Sequence, residues 1–169
     1  MIINKNSYTK KINNEDDILC GMKTHIDSKN INLENIIIDL KGLDNNADLS
    51  YMFNDCKNIE YLEFVEFNVE NIRNINNMFS NCISLKEIKK IFTNTTGVTN
   101  MSQIFANCIK LSNLSDISEW DTSKVTDMSG LFYNCCSLKD INISFWDVFQ
   151  VVNMKMMFIY CSKLSELPD

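Results

Sequence analysis

Cysteine is the residue type in this chain with the most chemical potential, because a thiol can attack a substrate, bind a metal or form a disulfide. The chain of 169 residues contains seven cysteines and a single histidine. Five of the cysteines recur at a nearly constant interval: Cys56, Cys82, Cys108, Cys135 and Cys161. A fixed period of this size is typical of a repeat array.

The cysteines themselves argue against a disulfide framework, because their number is odd and five share one position in the repeat. Equivalent cysteines on stacked helices would lie about 10 Å apart. A disulfide needs Cα atoms within about 4.4–6.8 Å of each other. We therefore expect free, buried thiols in a reducing compartment. Cys136 lies outside the column, and it is either an exposed, reactive thiol or a buried, inert one.

The sequence offers few candidate metal ligands and no phosphate-binding motif. Cys20, His25 and Asp27 are the only mixed metal ligands close together, and no CxxC pair occurs, so we expect no metal site. The sequence has no GxSxG, Walker A or GxGxxG motif, and only four glycines. We expect no cofactor.

Two carboxylate pairs, Glu60/Glu63 and Asp116/Glu119, could in principle act as acid and base. The neighbouring apolar positions place them more simply on the solvent side of strands. The sequence therefore favours a protein that is not an enzyme. A thiol- or carboxylate-based enzyme is the remote alternative.

Apolar residues recur at fixed distances before each cysteine of the column. Phenylalanine stands three residues before it in all five repeats: Phe53, Phe79, Phe105, Phe132 and Phe158. Apolar residues at four, seven and ten residues before it complete one stripe on a helix. Short polar residues eight before it could act as N-caps: Asp48, Asn74, Asn100, Asp127 and Asn153. The pattern predicts a helix of about two to three turns that ends at the cysteine.

After each cysteine the apolar period changes. The segments Tyr61–Phe67 and Asp140–Phe145 alternate apolar and polar residues, as short strands do. Each repeat is thus expected to contain a strand, a turn and a short helix, with successive strands parallel. No repeat can cover its own apolar face, so residues 44–169 are expected to form one stacked domain.

The first 43 residues do not fit the repeat, and we expect them to form an N-terminal cap with leading strands. The β-branched segment Asn30–Leu43 is the candidate for those strands. The segment Ile12–Ile26 is compatible with a hairpin or a short helix.

The stretch WDTSKVTDMSGLFYNCCSL, Trp120 to Leu138, resembles the 26-residue repeat of BspA-like, leucine-rich-repeat-related surface proteins. The resemblance extends over residues 38–169. It implies an α/β repeat solenoid, a leucine-rich-repeat-like right-handed stack of about five repeats. It also implies a role in adhesion or protein–protein contact, and it supplies no catalytic residues.

Charge and hydropathy narrow the possible partners and location. The net charge of −6 and the pI near 4.8 argue against a nucleic-acid partner. No apolar run is long enough to span a membrane. The first residues include no apolar core typical of a signal peptide, so we expect a cytoplasmic monomer with reduced cysteines. The alternative is a cell-surface adhesin from which a signal or anchor has been removed.

A solenoid offers the outward side chains of its strands as an extended binding surface. We name as the predicted strand face the residues five and seven positions after each of the first four cysteines of the column: Tyr61, Glu63, Glu87, Lys89, Asn113, Ser115, Asp140 and Asn142. Tyr61 is the best aromatic anchor among them. Because this surface is largely acidic, we expect a protein or peptide partner of basic character. The alternative is an array that has no partner of its own and acts as a spacer.

Overall fold

The computed structural model describes residues 7–11, 35–39, 48–65, 72–91 and 94–166, and for the first two ranges it describes only the backbone. These residues form one parallel sheet of five strands in chain order. The strands are β1 (Ser7–Lys11), β2 (Asn35–Asp39), β3 (Tyr61–Val65), β4 (Glu87–Lys89) and β5 (Asn113–Leu114). The described part contains no helix long and apolar enough to cross a membrane.

The register of the sheet follows the repeat period. Ile36 pairs with Leu62, Leu62 with Ile88, and Ile88 with Leu114, so each step from strand to strand advances by one full period. Leu62 and Ile88 are buried. The register therefore places Leu62, Ile88 and the partly buried Leu114 in one row on the inner side of the sheet. The handedness of the stack and its assignment to the leucine-rich-repeat class stay predictions.

At the N-terminal side, β2 lies within the segment Asn30–Leu43 that was expected to supply strands. Strand β1 was not predicted, and it pairs with β2 from Ser7↔Asn35 to Lys11↔Asp39. The undecided segment Ile12–Ile26 lies outside the described residues.

The strand predicted at Asp140–Phe145 is wrong, because these residues form no strand. Asn142 Oδ1 accepts hydrogen bonds from the backbone N–H of Ser144, at 3.3 Å, and from its hydroxyl, at 2.8 Å. Such a local turn takes the backbone out of the extended form. The exposure of the side chains still alternates from Asp140 to Ser144, but the backbone does not form a strand.

The helix predicted in each repeat is also wrong, since the described residues before each cysteine form consecutive turns. The backbone has positive φ at two positions of the unit, for example 56° at Gln103 and 61° at Asn107. Left-handed residues interrupt a right-handed helix. The N–H groups of Gln103 and Asn107 instead donate to the next repeat, at Ser129 O (2.9 Å) and Tyr133 O (2.8 Å).

The turn segments pack at the spacing of a sheet rather than of helices. Five phenylalanines form one file in which successive ring centroids lie 5.4, 5.5, 5.4 and 5.6 Å apart: Phe53, Phe79, Phe105, Phe132 and Phe158. Neighbouring planes differ by at most 12°. These distances are close to the strand separation of about 4.8 Å. The file, buried in its first four members, therefore continues the geometry of the sheet through the core.

A second column of contacts ties the repeats together at the residues expected to be N-caps. Single parallel bridges join them in succession: Asp48↔Asn74, Asn74↔Asn100, Asn100↔Asp127 and Asp127↔Asn153. Neighbouring repeats therefore contact each other through these bridges and through the turn segments. The strands add a third set of contacts as far as β5. Because these contacts recur, equivalent residues of successive repeats lie side by side.

Candidate functional site

The sheet register brings together the first five residues of the predicted strand face. Tyr61 pairs with Glu87, and Glu87 pairs with Asn113, while Glu63 pairs with Lys89. Successive residues of a strand point to opposite sides. Because Leu62 and Ile88 are buried, the five lie on the outer side of the sheet.

Lysines neutralise most of the acidic charge that was expected on this part of the face. Lys86 Nζ lies 2.6 Å from Glu60 Oε2, and Lys90 Nζ lies 2.8 Å from Glu63 Oε1. Lys89 Nζ lies 3.6 Å from Glu87 Oε2. The hydrogen bond to Glu60 raises the pKa of Lys86. These pairs are partly exposed and stabilise the fold little, but they remove net charge from the surface.

The ring of Tyr61 also contacts the side chain of Lys86. Lys86 Nζ lies 5.4 Å from the centroid of the Tyr61 ring, within range of a cation–π contact. The half-exposed ring therefore has a cation on one side. A partner that used Tyr61 as an anchor would approach the remainder of the ring.

The last three predicted residues lie together beyond strand β5. Ser115, Asp140 and Asn142 line a groove of about 320 Å³. Its other lining residues are Leu114, Asp116, Ile117 and Ile141, so we call this surface the 114–142 groove. Its walls combine aliphatic side chains with two carboxylates, those of Asp116 and Asp140.

The hydroxyl and amide groups of the 114–142 groove have local partners. Ser115 Oγ accepts a hydrogen bond from the Ile91 N–H at 3.0 Å, and Asn142 holds the turn at Ser144. These two residues thus shape the groove. Among the described residues no lysine or arginine pairs with Asp116 or Asp140, so the carboxylates are the groups available to a ligand.

Asp116 is held in its charged form by the adjoining turn. Its Oδ1 accepts a hydrogen bond from the Ser118 N–H at 2.9 Å. Hydrogen bonds from Ser118 lower the pKa of Asp116 below its ordinary value. The sequence offered Asp116 only as one member of an acid pair, and its closeness to Asp140 depends on how the repeats stack.

The cysteine column is a row of hydrogen-bond donors. Each thiol from the second repeat onward donates to the phenylalanine carbonyl of the preceding repeat: Cys82 to Phe53 (3.0 Å), Cys108 to Phe79 (3.1 Å), Cys135 to Phe105 (3.1 Å) and Cys161 to Phe132 (3.0 Å). The described cysteines form no disulfide with one another. The expected separation of about 10 Å between equivalent cysteines is wrong, because neighbouring repeats pack at the spacing of a sheet.

Burial determines the chemistry of these thiols. Desolvation raises the pKa of Cys82, Cys108 and Cys135, and to a smaller extent that of Cys161. A buried thiol with a raised pKa is a poor nucleophile at neutral pH. Cys136 is half-buried, and its Sγ lies 3.1 Å from Asn134 Oδ1.

Metal ligation finds no support in the described residues, where no group of three His, Cys, Asp or Glu side chains could hold an ion. Cys20, His25 and Asp27, the combination that the sequence offered, lie outside the described residues.

Comparison with known proteins finds a matching family model. The family model described as "Mycoplasma protein of unknown function, DUF285" matches residues 47–168, which include the five cysteines of the column. No curated protein and no solved structure matches the chain.

Proposed function

Because the chain belongs to the family described as Mycoplasma protein of unknown function, DUF285, whose model spans its repeats, we propose that it is a non-catalytic protein-interaction module. In this proposal the repeats form a solenoid related to the BspA-like repeats. The described parallel strands and the file of phenylalanines support it. The module uses its outer surface to bind a protein or peptide.

The observation that carries the proposal is the 114–142 groove. It offers an aliphatic surface from Leu114, Ile117 and Ile141 beside two carboxylates that lack a cationic partner in the described region. A side chain with an apolar stem and a cationic tip matches this combination. We therefore place the basic partner residue at this groove rather than along the lysine-compensated rows of β3 and β4.

The experiment compares an arginine peptide with its neutral isostere. The probe is a fluorescein-labelled heptapeptide with one central arginine between aliphatic residues, and the control peptide has citrulline in place of arginine. We expect the double variant Asp116→Asn/Asp140→Asn to weaken binding of the arginine peptide about tenfold. Fluorescence anisotropy measures the affinity.

A matched control changes two other exposed carboxylates. The double variant Glu119→Gln/Glu166→Gln removes the same charge away from the groove and should bind the arginine peptide like the parent chain. Asparagine at 116 can still accept the Ser118 N–H, so the turn is retained. Equal affinity for the citrulline peptide, or an unchanged affinity of the Asp116→Asn/Asp140→Asn variant, would refute the groove as the partner site.

For location, we propose the cytoplasm, because the thiol column is built from reduced cysteines that donate to carbonyls. Display at the cell surface is the second candidate, and the similarity of Trp120–Leu138 to surface-protein repeats favours it. Labelling of intact native cells with a membrane-impermeant amine reagent separates the two. Modification of the exposed lysines in intact cells would support display, whereas modification only after lysis would support the cytoplasm.

A further inference from the structure

The parallel sheet has a free edge at β5, although the described chain continues through the next repeat. On one side of β5, Asn113 N–H donates to Lys86 O at 3.2 Å. Two residues further on, Ser115 N–H donates to Ile88 O at 3.1 Å. Because alternate residues of a parallel strand direct their backbone groups to opposite sides, the N–H and C=O of Leu114 face away from β4. No hydrogen bond joins these two groups to the repeat that follows.

The segment across the 114–142 groove has unpaired backbone groups too. Asp140 and Asn142 occupy the repeat positions of Asn113 and Ser115. Their N–H groups donate to no backbone carbonyl among the described residues. The groove of about 320 Å³ therefore lies where the hydrogen bonds of the ladder are missing. An edge of this kind is a template to which an extended chain can add.

The opening lies inside the repeat array, with described chain on both of its sides. The rings of Phe105 and Phe132, which belong to the two repeats concerned, stack at 5.4 Å. Trp146 Nε1 donates to Ile117 O at 2.9 Å and joins the same two repeats beyond the groove. The repeats thus stay in contact, and only their strand segments are apart.

We propose that the basic partner segment binds in extended form and adds to β5 as a parallel strand, an inference that rests on the proposed function. N–H groups on two alternate residues of this segment donate to Ser112 O and Leu114 O, as Asn113 and Ser115 donate to β4. A carbonyl of the segment accepts the Leu114 N–H. Its cationic side chain reaches the carboxylates of the groove, Asp116 and Asp140. Main-chain pairing supplies affinity in this binding mode, and the side chains supply specificity.

Two other occupants fit the groove less well. An arginine presented by a helix or a turn would pair with the carboxylates but leave the backbone groups of Leu114 without partners. A second copy of this chain would bring two acidic molecules together, since the net charge is −6. A basic extended segment satisfies both the charges and the free strand edge.

The test uses the full chain and the arginine heptapeptide in two backbone-methylated forms. One form has N-methyl groups at its third and fifth residues, and the other has them at its fourth and sixth. Both forms keep every side chain and the same charge. Because alternate amides of an extended segment face opposite sides, one form should bind at least about tenfold more weakly than the parent peptide. The other should bind within about threefold of it.

Fluorescence anisotropy measures the three affinities. Hydrogen exchange measured by mass spectrometry should slow in the segment 112–117 when the parent peptide is bound. Equal affinities of the two methylated forms, whether both are strong or both are weak, would overturn the strand pairing. If the Asp116→Asn/Asp140→Asn variant still weakened binding of the parent peptide, the groove would remain the partner site. Absence of saturable binding by the parent peptide would overturn the proposed function and this inference together.

Discussion

At the scale of single residues, asparagine and aspartate hold the turns of this protein. Asn100 Oδ1 accepts the Ser102 N–H at 2.8 Å and its hydroxyl at 2.7 Å, and Asp127 Oδ1 accepts the Ser129 N–H at 2.8 Å. Either side chain can form this turn. The same geometry accounts for several N-x-[ST] motifs in the sequence, because the third residue donates back to the asparagine.

Asparagine has a second use at positive φ. The residue before the cysteine is left-handed in every repeat, and asparagine occupies it in three: Asn81, Asn107 and Asn134, with φ of 62°, 61° and 59°. Their side chains form a ladder, since Asn107 Nδ2 donates to Asn81 Oδ1 at 2.8 Å and Asn134 Nδ2 to Asn107 Oδ1 at 3.0 Å. Asparagine tolerates this conformation better than most residues do. The recurrence of asparagine at this position therefore has a structural cause, which the sequence alone did not reveal.

The Asp121 turn gives a prediction with a defined pH dependence. Hydrogen bonds from the hydroxyl and N–H of Ser123, at 2.6 and 3.0 Å, lower the pKa of Asp121 in the folded state. A lowered folded pKa stabilises the fold above the unfolded pKa, and this stabilisation is lost as pH falls through the folded value. Asp121→Asn keeps the turn but loses the charge dependence. The free energy of unfolding of the parent relative to this variant should therefore be largest at pH 7 and decrease towards pH 3.

Urea unfolding at both pH values measures this difference. Asp121→Ala removes the acceptor altogether and should cost about 1 kcal/mol at pH 7. Glu119→Gln is the control for a simple change of charge at an exposed carboxylate, and it should have a small effect. An Asp121→Asn variant whose stability follows the parent at every pH would show that the carboxylate charge does not matter in this turn.

At the scale of elements, the sequence identifies the buried residues better than the backbone that carries them. The offsets of three, four and seven residues before the cysteine select Phe105, Ile104 and Met101, all fully buried. A helix and a pair of successive turns can both bury this set, so the offsets could not separate them. The distinguishing signal is the polar residue one position before the cysteine, where asparagine favours a left-handed backbone.

The position of a phenylalanine in the file should determine the cost of removing it. Phe105 stacks on Phe79 and Phe132 and lies 6.4 Å from Trp120. Within the described part of the chain, Phe158 stacks on a single ring, that of Phe132. We expect Phe105→Ala to lower the free energy of unfolding by about 3–5 kcal/mol. Phe158→Ala, which opens no enclosed cavity, should cost roughly half as much. Denaturant unfolding of both variants tests this order, and equal losses would contradict it.

At the scale of the whole molecule, side-chain pairs between repeats join residues about one repeat period apart in the chain. Lys86 pairs with Glu60 and Lys90 with Glu63, so each lysine reaches a glutamate about one period earlier in the chain. The period alone could place these residues on one face. The period does not predict that the lysines neutralise the acidic row, because predicting these ion pairs requires the register between strands. The 114–142 groove was likewise only partly predicted, since Asp116 and Ile117 join it through stacking of the last repeats.

Contacts restricted to neighbouring repeats predict how destabilising substitutions combine. Phe79 and Phe105 stack directly, at 5.5 Å, and both of these rings lie between Phe53 and Phe132 in the file. In a double-mutant cycle, Phe79→Leu with Phe105→Leu should depart from additivity by at least about 0.5 kcal/mol. Phe53→Leu with Phe132→Leu should add to within that limit, because no ring contact joins the pair. Denaturant unfolding of the six variants and the parent provides both cycles. If only the distant pair is additive, each repeat is stabilised by its immediate neighbours, as in a repeat stack. Equal coupling energies in both pairs would contradict this and would mean that the interior behaves as one continuous core.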